Sequence, residues 1–187
     1  MKFSMKKVTV LLADGFEEIE ALTVVDLLRR AKVYVDTVSI TDDYTVRGAH
    51  GIPVQTEDLI TEIDFKESDM IVLPGGMPGT TNLKEDENVR KAVQEAYDDG
   101  RYVAAICAAP TILADMGLLK GKRVTCYPDM ESEIEDAYLT GAPVATDENI
   151  ITSQGVGTAI DFALKLIEVL ISEEKAVEIA DSIVYQR

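Results

Sequence analysis

The chain has 187 residues, 47% of them apolar and 28% charged, the balance of an ordinary globular protein read as one domain over 1–187. Its 34 acidic against 18 basic residues give a net charge of −16, which argues against nucleic acid and anionic membranes, because phosphate binding rests on clustered Lys and Arg. Two cysteines and one histidine build neither a disulfide framework nor a zinc site, so no metal and no cofactor are expected.

The N-terminal apolar run Val8–Ala13 ends at Asp14 and Glu17, too short and too soon charged for a signal peptide or a membrane span. The expectation is a cytoplasmic protein, where free thiols persist, with either Met1 or Met5 as its start.

Val8–Ala13 reads as a strand covered on both faces. A helix follows over 17–31 with two apolar rows, Ile19-Leu22-Val25 and Ala21-Val24-Leu28-Ala31. That face is wider than one sheet contact requires, and it predicts packing against a second copy of the chain. Further strands are expected at 33–40 and 70–73, with a short one off the main sheet at 52–56. A helix over 87–97 stops at Asp98-Asp99-Gly100. The strand Tyr102–Ile106 runs into Cys107 and a helix over 108–116. Later come a strand at 123–126, a short acidic helix over 130–137, and a hairpin of 144–146 with 150–152 whose turn places Asn149 in the left-handed conformation. Gly155 and Gly157 open a long buried helix over 158–171, and 173–184 forms a last helix or tail. Strands alternating with helices predict an α/β fold with a mostly parallel sheet and helices on both faces. Functional residues of such sheets gather beyond the carboxyl ends of the strands. The Asp14–Glu20 turn, the Gly75-Gly76 turn and Cys107 all lie at such ends.

A cysteine where a buried strand breaks into a helix has its sulfur near the N–H groups of the helix start, which favour a thiolate. Lowering its pKa by ~3 units needs about 4 kcal/mol, and a helix terminus supplies about 1–2 kcal/mol, so further hydrogen bonds must contribute. A free cysteine is equally often a small buried hydrophobe, and the local sequence leaves both readings open. Glu17, Glu18 and Glu20 crowd the first helix start, where dipole compensation accounts for two of them. Glu20 falls on the inward side. Buried beside a thiolate it would hold its proton and serve as general acid or base. Gly75, Gly76 and the Ala108 N–H offer an oxyanion hole, although a Gly-Gly pair alone is usually a tight turn. The Gly155-Val156-Gly157 turn lacks the lysine of a phosphate loop. His50 reads as a surface or interface residue, and Cys126 as buried and inert. Tyr127, at the end of the 123–126 strand, is placed to overhang the site.

The stretches GFEEIEALTVVDLLRRA, VLPGGMPGTTNL, AAICAAPTIL and ITSQGVGTAIDFAL resemble, in order and spacing, the ThiJ/PfpI superfamily, in the branch of the Parkinson-associated protein deglycase and its bacterial relatives. The resemblance implies a flavodoxin-like three-layer α/β/α sandwich that dimerises through its first helix and carries a cysteine nucleophile elbow. By motif match the nucleophile is Cys107, the protonated carboxyl is Glu20, and the oxyanion region is Gly75, Gly76 and Ala108. The protease-like branch has a histidine directly after the cysteine, where this chain has Ala108. Related amidotransferases use a late His-x-Glu pair, which this chain lacks. Tyr127 stands where the deglycase branch often has a histidine, and His50 where many members have an arginine near the dimer interface.

The resemblance implies a cofactor-free enzyme acting on glyoxal, methylglyoxal or early glycation adducts. In an alternative reading the chain is a redox sensor or stress chaperone whose Cys107 is oxidised to the sulfinic acid. A peptide or amide hydrolase is disfavoured by Ala108.

Overall fold

The computed structural model describes residues 5–186, so Met1 lies outside the described residues. Strand β1 (Lys7–Leu12) carries apolar side chains on both faces and is buried from Val8 onward. The chain then enters α1 (Glu18–Arg30), whose last-turn Arg29 and Arg30 suit the negative end of the helix dipole. Strand β2 (Tyr34–Ser39) follows, then a small hairpin of β3 (Thr45–Arg47) with β4 (Pro53–Gln55), then the two-residue β5 (Asp58–Leu59). Strand β6 (Met70–Leu73) leads through Pro74-Gly75-Gly76 into α2 (Gly79–Glu85) and α3 (Glu87–Asp98), the latter capped by Asp86 accepting from Asn88 and Val89 N–H. Strand β7 (Tyr102–Ile106) precedes α4 (Pro110–Asp115), followed by β8 (Arg123–Val124), β9 (Tyr138–Leu139) and the hairpin β10 (Val144–Asp147) with β11 (Ile150–Ser153). Helices α5 (Ala159–Leu170) and α6 (Glu173–Ser182) complete the chain.

The main sheet has seven strands in the order β10-β11-β7-β6-β1-β2-β5, parallel throughout except for the β10 edge. Because successive side chains of a strand point to opposite faces, β1 sends Val8, Val10 and Leu12 to one core and Leu11 to the other. Helices α1, α5 and α6 cover the first face through Val24, Leu28, Phe162, Ile167 and Ile179. Helices α2, α3 and α4 cover the second through Leu83, Val89, Val93, Ile112 and Leu113. This is the flavodoxin-like three-layer α/β/α sandwich with a mostly parallel sheet. From β1 the chain runs outward to β2 and β5, then returns to lay β6, β7 and β11 on the other side. The order therefore reverses between β1 and β6, where the fold opens a crevice at the carboxyl ends of its strands. Among the described residues no helix is long and apolar enough to cross a membrane.

Several local expectations need correction. The strand expected at 123–126 is only Arg123–Val124 and pairs with β9 in a separate two-stranded sheet, since the Thr125 N–H goes to Thr152 Oγ1 at 2.9 Å. The acidic segment forms a 3-10 helix over Pro128–Glu133, and the left-handed Asp136 (φ 60°) ends any helical path to Ala137. In the β10–β11 turn it is Glu148, not Asn149, that is left-handed (φ 51°). The Asn149 amide instead donates to the Tyr97 and Arg101 carbonyls at 3.1 and 2.9 Å, tying the turn to α3 and the start of β7. The helix after Cys107 starts at Pro110, whose missing N–H costs nothing at that position. The helix expected over 158–171 begins as a 3-10 turn, Val156–Thr158. Strand β3 and helix α2 lie in stretches where polar residues and glycine masked the periodicity.

The two apolar rows of α1 divide. Ala21, Val24 and Leu28 are buried, whereas Ile19 is 53% and Leu22 37% exposed. Val25 of the first row is buried too, so only its N-terminal members Ile19 and Leu22 face outward from the single chain.

Candidate active site

The carboxyl ends of β1, β6, β7 and β11 are neighbours, and each delivers one part of the site. Strand β7 ends at Cys107, which is held at φ 65°, a left-handed conformation that costs a non-glycine residue about 1–3 kcal/mol. Two backbone bonds fix it: the Cys107 N–H donates to the Ser153 carbonyl at 3.0 Å, and the Tyr127 N–H to the Cys107 carbonyl at 2.8 Å. This is a tight strand-to-helix elbow with the cysteine at its tip. The turn projects the partly buried thiol away from the strand, and the Ala108 and Gly76 N–H groups both hydrogen-bond to the sulfur.

Glu20 comes from the first turn of α1 and is fully buried. Its Oε2 accepts the Gly75 N–H at 2.9 Å. Oε1 is buried with no hydrogen-bond partner among the described residues, and the carboxyl lies beside the Cys107 thiol. A Cβ on Gly155 would stand 3.8 Å from Oε1 and 3.9 Å from Sγ, so both atoms face the same glycine. The Gly-Gly turn is required rather than decorative. A Cβ on Gly75 would lie 2.5 Å from the Cys107 Cβ, and one on Gly76 (φ +90°) 2.4 Å from the Glu17 nitrogen. The structure separates the expected oxyanion donors. Gly76 and Ala108 point N–H groups at the sulfur, but the Gly75 N–H is taken by Glu20 and positions the carboxyl instead.

Burial pushes the Cys107 thiol up to about 12, and the charge and hydrogen bond of Glu20 act the same way, against the Ala108 and Gly76 N–H groups. The helix-start donors therefore do not make a thiolate unaided, as their small contribution implies, and the neighbouring Glu20 opposes rather than completes their effect. Burial likewise lifts Glu20 to about 7, opposed by the Cys107 and Gly75 hydrogen bonds and aided by the Glu17 charge. The two groups compete for one proton. A charged Glu20 keeps the thiol protonated, whereas a protonated Glu20 removes the repulsion and donates its O–H to sulfur.

A cleft of about 540 Å³ opens onto this pair, lined by Glu17, Glu20, Gly76, Cys107, Tyr127 and Gln154 and closed by the 155–158 turn. Thr158 shapes that turn, with Oγ1 accepting the Gly155 N–H at 3.1 Å and meeting Ser153 Oγ at 2.6 Å. Tyr127 overhangs the mouth, 43% exposed. Cys126 is buried, its thiol reaches the Tyr127 carbonyl at 3.3 Å, and burial with Glu131 and Glu133 nearby pushes it up to about 11.

His50 is outside the cleft. Its Nδ1 lies 2.8 Å from Glu18 Oε2 and 3.6 Å from Glu17 Oε2, and its N–H donates to Glu18 Oε1 at 2.8 Å. Glu18 is thus no dipole ornament but a buried clamp on the 48–52 loop. Burial works against its charge, and the His50 ring, His50 N–H and Ile52 N–H bonds overcome it, leaving the carboxyl below its usual range. The same ring bond, with both glutamates, holds His50 above its usual value. Glu17, Glu18 and His50 bring ligand-type atoms within 4.8 Å of one another, a proximity that this hydrogen bonding accounts for. Sequence reasoning missed Glu17 as a cleft residue. The signal was its i,i+3 spacing to Glu20, which puts both carboxyls on one helix face.

A flavodoxin-like sheet with a left-handed cysteine at the end of β7 and a buried glutamate against its sulfur defines a class of cysteine-elbow α/β proteins. The chain belongs to the DJ-1/PfpI family, whose model matches residues 6–169. It is 39% identical to Protein DJ-1 homolog B of Arabidopsis thaliana over 98% of this chain, but spans only 42% of that relative's length. It is 34% identical to Glutathione-independent glyoxalase DJ-1 of Schizosaccharomyces pombe over 91% of this chain and 94% of that one. Among solved structures, oxidized Toxoplasma gondii DJ-1 superposes with a TM-score of 0.94 at 36% identity, covering 97% of this chain and 100% of that one.

Proposed function

We propose that the chain is a glutathione-independent glyoxalase or deglycase acting on glyoxal, methylglyoxal or their early adducts on proteins. The observation that carries this reading is the contact between Glu20 and Cys107 at the floor of an open cleft. Transfer of the shared proton to Glu20 frees the thiolate, which adds to the aldehyde carbon of methylglyoxal. The C–S bond forms, and the carbonyl electron pair moves to oxygen, which takes the proton from Glu20. The carboxylate so produced removes the proton from that carbon and returns it to the neighbouring carbon. An α-hydroxy thioester results, and water cleaves its C–S bond to release lactate and restore the thiol. Methylglyoxal plus water equals lactic acid, so no oxidant, metal or glutathione enters. The Gly76 and Ala108 N–H groups stabilise the negative charge as it passes between sulfur and oxygen. Purified protein given methylglyoxal alone is expected to yield lactate by proton NMR, and methylglyoxal persisting without product overturns the reading.

A second reading rests on the same Glu20 and on the oxidized state named for the Toxoplasma relative. Here two peroxides convert the Cys107 thiolate to a sulfinate with loss of two waters, and a protonated Glu20 donates to a sulfinate oxygen. Gain of two oxygens at Cys107, in protein that leaves methylglyoxal untouched, is the outcome that favours it.

The exposed Ile19 and Leu22 of α1, with Ile52 at 52% exposure on the adjoining loop, support a homodimer through the first helix. We place the chain in the cytoplasm on the strength of its free thiols.

A further inference from the structure

The charges around the cleft are all of one sign. Glu17 and Glu20 line it, and no Lys, Arg or His side chain does so among the described residues. The nearest imidazole, His50, lies behind Glu17 and is already shared between Glu17 and Glu18. Among the described residues Glu17 has no Lys or Arg ion pair, its one ionic contact being the His50 ring at 3.6 Å, and its side chain is 13% exposed, so its charge is screened by little water. The same lining holds the uncharged Gln154, at a position where a cation would neutralise this field, its amide directed to the Gly141 carbonyl at 3.4 Å. An anion entering such a cleft loses hydration and meets no cationic side chain in the lining to compensate its charge, only neutral donors such as the Tyr127 hydroxyl and backbone N–H groups.

We infer that the cleft selects carbonyl compounds by charge, admitting neutral and cationic ones and excluding those that carry a carboxylate, with Glu17 as the specificity-determining residue and Gln154 as the position where a cation reverses the selection. This rests on the reading of Cys107 as the attacking group. The substrate class is thereby narrowed to uncharged dicarbonyls and to carbonyl adducts still attached to an amine. Carboxylate aldehydes of the glyoxylate type are excluded.

Two reagents of equal size and opposite demand separate the cases. Iodoacetamide and iodoacetate both form an S–C bond at a thiolate with loss of iodide, and they differ only in charge. Alkylation of Cys107 in the intact protein is followed by mass spectrometry, and the rate ratio is compared with that for N-acetylcysteine at the same pH. The ratio favouring the amide is expected to exceed the reference by about tenfold or more, equivalent to about 1.4 kcal/mol, and to shrink in concentrated salt. Glu17→Gln, which keeps an acceptor for the helix cap, and Gln154→Arg in the same lining are each expected to bring it back toward the reference. A wild-type ratio equal to the reference overturns the selection while leaving the glyoxalase reading intact if methylglyoxal is still consumed. A high ratio that neither variant moves overturns the assignment to these residues. Failure of both reagents to label Cys107 overturns the selection and the enzymatic reading together.

Discussion

The buried carboxyl of Glu20 and the thiol of Cys107 are in contact, and Glu20 is held there by the Gly75 N–H at 2.9 Å. Because burial penalises charge on either group, the pair is a store for one proton placed between α1 and the end of β7.

That store has a thermodynamic signature. The Glu20 carboxyl rises from 4.5 to about 7 on folding. The folded protein therefore binds more protons than the unfolded chain between those values, and the linked stability is lost as pH rises through the window. Glu20→Gln keeps an acceptor for the Gly75 N–H but cannot ionise. Relative to wild type, the variant is expected to gain up to about 3 kcal/mol of stability between pH 4.5 and pH 8. Denaturant melts at the two pH values check this, and a constant gap between the proteins contradicts it.

Gly75 is expected to tolerate no side chain. In Gly75→Ala the new methyl must displace the Cys107 Cβ at 2.5 Å or Glu20 Oε2 at 2.7 Å. A destabilisation of about 1–3 kcal/mol, with loss of methylglyoxal turnover beyond that explained by unfolded protein, is the expected outcome. Wild-type activity in this variant would show that the close packing of the pair is dispensable.

The two cysteines are expected to differ sharply. Cys126 is 1% exposed, whereas Cys107 opens onto the cleft. Peptide mapping after brief iodoacetamide treatment at neutral pH is expected to find the label on Cys107. Faster labelling of Cys126 removes the site assignment.

Leu22→Glu on the outward row of α1 is expected to convert a dimer to a monomer in light-scattering chromatography without unfolding it, since that side chain is already 37% exposed in the single chain. A wild-type protein that runs as a monomer at all concentrations contradicts the interface.

Much of this was legible from the chain. VTVLL, MIVL and YVAAI announce buried parallel strands, and the turns that follow them fix which ends gather the site. Glu20 was legible from its inward helical phase. What escaped depended on partners distant in sequence. Glu18 binds a loop more than thirty positions away, and only the folded chain brings His50 to it. Asn149 looked like a turn residue by propensity, but its amide is spent on Tyr97 and Arg101, and Glu148 bends instead. The direction of the Cys107 shift was misjudged because a helix terminus is visible in sequence, whereas the depth of burial and the charge of Glu20 are not.

Turnover by Glu20→Gln tests proton transfer by this carboxyl most directly. With methylglyoxal as sole substrate, this variant is expected to lose about two to four orders of magnitude in kcat relative to wild type, because the proton can no longer move between the carbons. Its Cys107 is expected to remain open to alkylation, so the loss is one of proton transfer rather than of fold. Wild-type kcat in Glu20→Gln would contradict the account.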